Sequence, residues 1–136
     1  MAPAVLSAQS AADEIETLLK TGAVTYSAAA RFLLEASETL AVSDPAEAFR
    51  YAMEQGWLTK KASADDAARL DEICLLLMRA FGINGGLLFS VTGSPHFAYR
   101  ELVYREIIQG RTDPHMNVSG ERLLFYTDRV FHKREN

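Results

Sequence analysis

The sequence predicts an all-α fold, a single helical bundle built from three helix–loop–helix units. Three observations carry that expectation. Apolar residues recur every three or four positions along most of the chain. Capping and stop residues stand where such helices would begin and end. Cap and core residues also recur fifty positions apart.

The elements follow in order. Asp13 to Leu19 places Ile15, Leu18 and Leu19 on one helical face, and Gly22 stops the run. Thr25 is suited to cap a helix from Tyr26 to about Leu40, with Ala29, Phe32, Leu33 and Ala36 as its apolar stripe. Asp44-Pro45-Ala46-Glu47 combines a cap, a proline at the first helical position and an acid in the first turn. That helix is expected to reach Gln55, with Gly56 as a left-handed stop and Trp57-Leu58 folding back as a core plug. Ser63 to Asp66 should cap a central helix over Ala67 to Phe81, apolar on most sides. Gly82, Gly85 and Gly86 interrupt the pattern. Leu87 to Val91 then reads as a buried extended or 3₁₀ segment, since a lone strand would have no partner. Ser94-Pro95 opens a helix to about Gln109, ended by Gly110, and Ser119 caps the last helix.

The repeat joins these elements. Asp44-Pro45 matches Ser94-Pro95, Ala48-Phe49-Arg50 matches Ala98-Tyr99-Arg100, and Arg79-Ala80-Phe81 matches Arg129-Val130-Phe131. Two copies of helix, loop and helix follow, and the first forty residues supply a shorter third. Helical repeats bury their apolar faces against neighbouring copies.

Composition limits the function classes. The 136 residues carry a net charge of −4 with no basic run beyond the pairs Lys60-Lys61 and Lys133-Arg134, so nucleic acid is not an expected partner. A hydrophobic content of 49% is enough to build a core without a metal or disulfide staple. The single cysteine, Cys74, sits in the most apolar helix and reads as a core residue. No stretch is long and apolar enough to span a membrane. Residues 1–12 read either as the remnant of a secretory signal peptide or as a disordered leader, with the helical domain over 13–136. The first alternative places the protein in a periplasm or cell envelope, the second leaves it in the cytoplasm.

The stretch from Asp44-Pro45 through Tyr51-Ala52-Met53-Glu54-Gln55-Gly56-Trp57-Leu58 to Arg69-Leu70-Asp71-Glu72-Ile73 resembles a surface-layer-homology (SLH) repeat. Arg69-Leu70-Asp71-Glu72 and Ser119-Gly120-Glu121-Arg122 stand where that family carries Thr-Arg-x-Glu. The resemblance implies three repeats in a pseudo-threefold bundle, with cell-wall polysaccharide bound in grooves between them. Arg100-Glu101-Leu102-Val103-Tyr104-Arg105 and Leu75-Leu76-Leu77-Met78-Arg79 are also similar to an uncharacterised domain of spirochaete envelope proteins, some of them joined to an OmpA-like domain.

No catalytic constellation stands out, and no cofactor is expected. His96, His115 and His132 lack metal-ligand spacing. Asp65-Asp66 and Asp71-Glu72 read as charges favouring a helix start. The Gly82–Gly86 stretch lacks the Lys-Ser/Thr of a phosphate loop. The candidate ligand or partner patch is Tyr99, Arg100, Tyr104 and Arg105, because exposed Tyr and Arg are enriched in recognition surfaces. The expected function is a non-enzymatic envelope module that binds a protein or a wall glycan. The alternative is a homo-oligomeric scaffold in which Trp57 and Phe89 face another copy.

Overall fold

A computed structural model describes residues 3–135, with side chains from 12 to 133. Among the described residues there are seven α-helices and no strand longer than a single bridge. Helix α1 spans Pro3–Lys20, starting ten residues before the Asp13 expected from the apolar pattern. Met1 and Ala2 of the leader lie outside the described residues, and the backbone of residues 3–12 is the first part of α1.

Helix α2 (Tyr26–Ala36) begins as the sequence indicates, with the Thr25 Oγ1 accepting from Ala28 N at 3.2 Å. It ends four residues before Leu40. Glu38 turns left-handed at φ 59°, and the amides of Thr39 and Leu40 both reach back to Leu34 O. Helix α3 (Pro45–Glu54) has Asp44 as its cap, and Gly56 at φ 73° turns the chain so that Leu58 is buried and Trp57 packs edge-on against Tyr51.

Helix α4 (Leu70–Ala80) is the central one, with every residue from Leu70 to Met78 buried. Each such Leu or Ile contributes on the order of 2 kcal/mol of burial. The helix does not start at Ala67 as expected. Residues 67 to 69 are extended, because their backbone groups are paired with other segments and tertiary bonding overrides the helical leaning of Ala-Ala-Arg. Leu87–Thr92 is a short helix, α5, rather than an extended segment. Gly93 closes it at φ 61°, and Ser90 N bonds to Gly86 O at 2.9 Å. Helix α6 (Pro95–Tyr104) stops five residues before Gln109, at a left-handed Glu106 (φ 63°). Ile107 and Ile108 then turn inward and are buried. Helix α7 (Gly120–Glu135) starts where Ser119 Oγ accepts from Arg122 N at 3.1 Å.

The fifty-residue offset is visible in the backbone. Trp57 N bonds to Ala52 O, and Ile107 N to Leu102 O, both at 2.9 Å. Gly56 and Glu106 share the left-handed conformation, and Asp44 and Ser94 both cap a helix whose first residue is proline.

Three extended segments meet at the middle. Thr25 bridges Ala67, and Arg69 bridges Asn117. Val24 N donates to Val118 O at 2.8 Å, Ala68 N to Val24 O at 2.8 Å, and Leu70 N to Met116 O at 2.9 Å. The first segment thus bonds to the second, the second to the third, and the first to the third. Helix packing follows the same order: α2 lies on α3, α4 on α6, and α1 on α7.

Candidate functional site

Among the described residues, α5 and α6 carry Leu87, Leu88, Val91, Val103 and Tyr104 as exposed large hydrophobics, and Ile15, Leu19, Phe125 and Phe131 are exposed on α1 and α7. Phe89 is the inward residue of α5, buried beneath the Arg79 guanidinium, which stands 4.7 Å from its ring centroid. Gly85 permits this, since a Cβ there would come within 2.6 Å of the Phe89 ring. With Phe89 pointing in, its neighbours point out. Leu87 is 79% exposed, Val91 76% and Leu88 57%. On α6, Tyr104 is 84% exposed. Leu87, Leu88, Phe97, Arg100 and Tyr104 line a shallow groove of about 260 Å³ between the two helices.

The expected patch divides on this surface. Arg100 and Tyr104, one helical turn apart, both belong to the groove, and Arg100 makes no hydrogen bond or ion pair among the described residues. Tyr99 does not join them. It is half-buried, and its hydroxyl is 2.6 Å from Thr112 Oγ1 and 3.2 Å from Thr112 O, which ties α6 to the loop before α7. Arg105 is a brace. Its Nε donates to Glu101 Oε2 at 2.8 Å, and its Nη2 donates to Asn84 O. Glu101 Oε1 in turn accepts from Gly86 N at 2.8 Å, so one carboxylate joins α6 to the start of α5. The Arg105 hydrogen bond, helped by that from Gly86 and opposed by burial, holds the Glu101 carboxyl below its ordinary range.

Sequence reasoning missed Leu87, Leu88 and Val91. The Gly85-Gly86 pair and Gly93 bracketing them are the signal for a short independent turn of helix. The expectation that Trp57 and Phe89 face another copy is corrected at Phe89, which is buried, and Trp57 is half-buried against Tyr51.

Three other reactive side chains, Cys74, Asp71 and Glu72, lie inside the fold. Cys74 is fully buried, and burial pushes its thiol well above the usual range. Asp71 and Glu72 stand in the first turn of α4, as a helix-start role requires, and both are buried. Asp71 accepts from the Arg69 guanidinium at 2.8 Å, and Glu72 accepts from Thr59 N at 3.0 Å and from the Thr59 hydroxyl. The three histidines are exposed. No group of three His, Cys, Asp or Glu suited to a metal ion occurs among the described residues. No helix among them is long and apolar enough to cross a membrane.

No protein-family model, curated protein or solved structure matches the chain.

Proposed function

We propose that the chain is a non-enzymatic module of the cell envelope that binds a protein partner through the α5–α6 face. The observation that carries this reading is the set of outward Leu87, Leu88, Val91 and Tyr104 side chains beside an unpaired Arg100. Contiguous exposed apolar surface on a folded domain costs solubility and marks interaction sites. Tyr and Arg are the side chains most enriched at the energetic centres of such sites. The likeness of Arg100–Arg105 and Leu75–Arg79 to a domain of spirochaete envelope proteins supports the envelope location.

The architecture is read as three helix–loop–helix units of the SLH kind. Its support is the matched hydrogen bonds at Trp57 and Ile107, and the packing of α2 on α3, α4 on α6 and α7 on α1. Wall polysaccharide is the ligand class that this likeness brings, and it is the competing ligand in the test. A second copy of the chain is the competing occupant of the same apolar face.

A photo-crosslinking residue placed at Leu87 in the living cell tests the reading. The expected result is an adduct with one protein species, abolished by Leu88→Asp or by Arg100→Ala with Tyr104→Ala, with melting temperature unchanged. An adduct of two copies of this chain would transfer the face to self-association. No adduct, with retention on isolated cell wall indifferent to these substitutions, would replace the protein partner by glycan. Recovery of the chain in the cytosolic fraction would remove the envelope location.

A further inference from the structure

A second concave site lies between α1 and α2, with no residue in common with the α5–α6 face. Its volume is about 550 Å³, within the range of roughly 300–1,000 Å³ that small-molecule sites occupy. Leu18, Val24, Ala28 and Phe32 supply its apolar lining. The ion pair of Arg31 with Glu14 crosses it from one helix to the other.

The polar groups at this cavity are unevenly committed. Side-chain donors are used internally. Thr17 Oγ1 donates to Asp13 O at 2.9 Å, and Thr21 Oγ1 donates to Thr17 O at 2.7 Å. Arg31 Nε donates to Ser43 O at 3.2 Å, its Nη1 is held by Glu14, and its Nη2 lies 3.7 Å from Glu35. Acceptors remain. The Asp13 carboxylate has no hydrogen bond or ion pair among the described residues. The hydroxyl oxygens of Thr17 and Thr21 keep lone pairs after donating their protons. Arg31 is already neutralised by Glu14 and Glu35, so the uncompensated charge at the cavity is negative. A ligand that complements the site brings donors and positive charge on an apolar body.

We propose that the α1–α2 cavity binds a compact organic ammonium, its head at Asp13 and the hydroxyl oxygen of Thr17 one helical turn on, its apolar body over Leu18, Val24, Ala28 and Phe32. An anion is disfavoured by the committed guanidinium. A neutral alcohol fills the apolar part without using the Asp13 charge.

Titration of the full-length ¹⁵N-labelled chain with n-hexylammonium, 1-hexanol and hexanoate tests the assignment. Expected are amide shifts confined to Thr17, Thr21, Ala28 and Phe32, with the ammonium bound roughly five-fold more tightly than the alcohol, the worth of about 1 kcal/mol for a solvent-accessible charge pair. Asp13→Asn removes that preference and leaves hexanol binding unchanged. Ala28→Trp, which fills the cavity, and Phe32→Ala, which strips its wall, weaken all binding, and thermal melts establish that each variant folds. The same shifts produced by N-acetyl-lysine methylamide assign the head group to a peptide lysine, and shifts with hexylammonium alone assign a free amine. Equal binding of hexanol and hexylammonium, shifts elsewhere in the chain, or an Asp13→Asn variant that still prefers the ammonium would overturn the proposal.

Discussion

A Cβ on Gly120 would lie 1.8 Å from the carbonyl oxygen of Leu18, and Gly120 N donates to Thr21 O at 2.9 Å. Backbone meets backbone there, so no side-chain rotation relieves the contact. Alanine is favoured over glycine by about 1 kcal/mol in a helix interior, less at the first position of α7. Overpacking costs about 1–3 kcal/mol, more where nothing yields. Gly120→Ala is therefore expected to lose roughly 2 kcal/mol or more of stability, read as a lower urea midpoint with unchanged slope. The sequence carries no sign of this: Gly120 follows a capping serine and resembles any glycine in a loop. Glu101 is another case where partners decide. Its folded carboxyl is held below its ordinary range near 4.5, so its contribution is complete above that value and fades as pH falls through it. Glu101→Gln should flatten the decline in stability below pH 4.5 relative to the parent chain, measured by chemical denaturation across pH 3–6. The Arg105 half of the pair was legible only as a surface cation, because its role depends on Asn84 and Glu101 converging after folding.

At the scale of elements, the caps were the most legible feature. Asp44-Pro45, Ser94-Pro95 and Thr25 all stand where helices begin, because capping is a local interaction spanning two or three residues. Ends were less legible. Gly56 announces the stop of α3, but the equivalent stop of α6 falls on Glu106, a residue with no intrinsic claim to φ 63°. The buried pair Ile107-Ile108 holds it there, through Ile107 N and Ile108 N on Leu102 O. A non-glycine residue in that conformation costs about 1–2 kcal/mol, partly offset in glycine by its greater unfolded freedom. Glu106→Gly is expected to stabilise the protein by about 0.5–1 kcal/mol, seen as a rise in melting temperature. Helix α5 is not marked by the sequence pattern for a related reason. Its six residues form one turn and a half, too short for periodicity to declare a face, and only Phe89 is buried.

Across the whole molecule, the central junction was not legible at all. Val24, Ala68 and Val118 lie far apart in the chain, and nothing in their neighbourhoods marks them as paired backbone. The consequence is measurable. The amides of Val24, Tyr26, Ala68 and Leu70 bond across segments, so they are freed only when separate parts of the chain come apart. They are expected to exchange with deuterium at the rate set by global unfolding, while the amides of α5 exchange faster by local opening. Equal rates at both places would mean that α5 is as firmly held as the core. The helices flanking the junction, by contrast, carry apolar periodicity and local caps that the sequence displays. The bonding order at the junction also bears on how such a chain can grow. In an open stack of helical repeats each copy touches only its neighbours, and another copy can be added at either end. Here the last segment returns to the first, through Val24 to Val118 and α1 to α7, so there is no end to extend. Inserting a further helical pair between them would have to break one of these backbone contacts, so the mutual bonding of the three segments resists extension of the chain at this place.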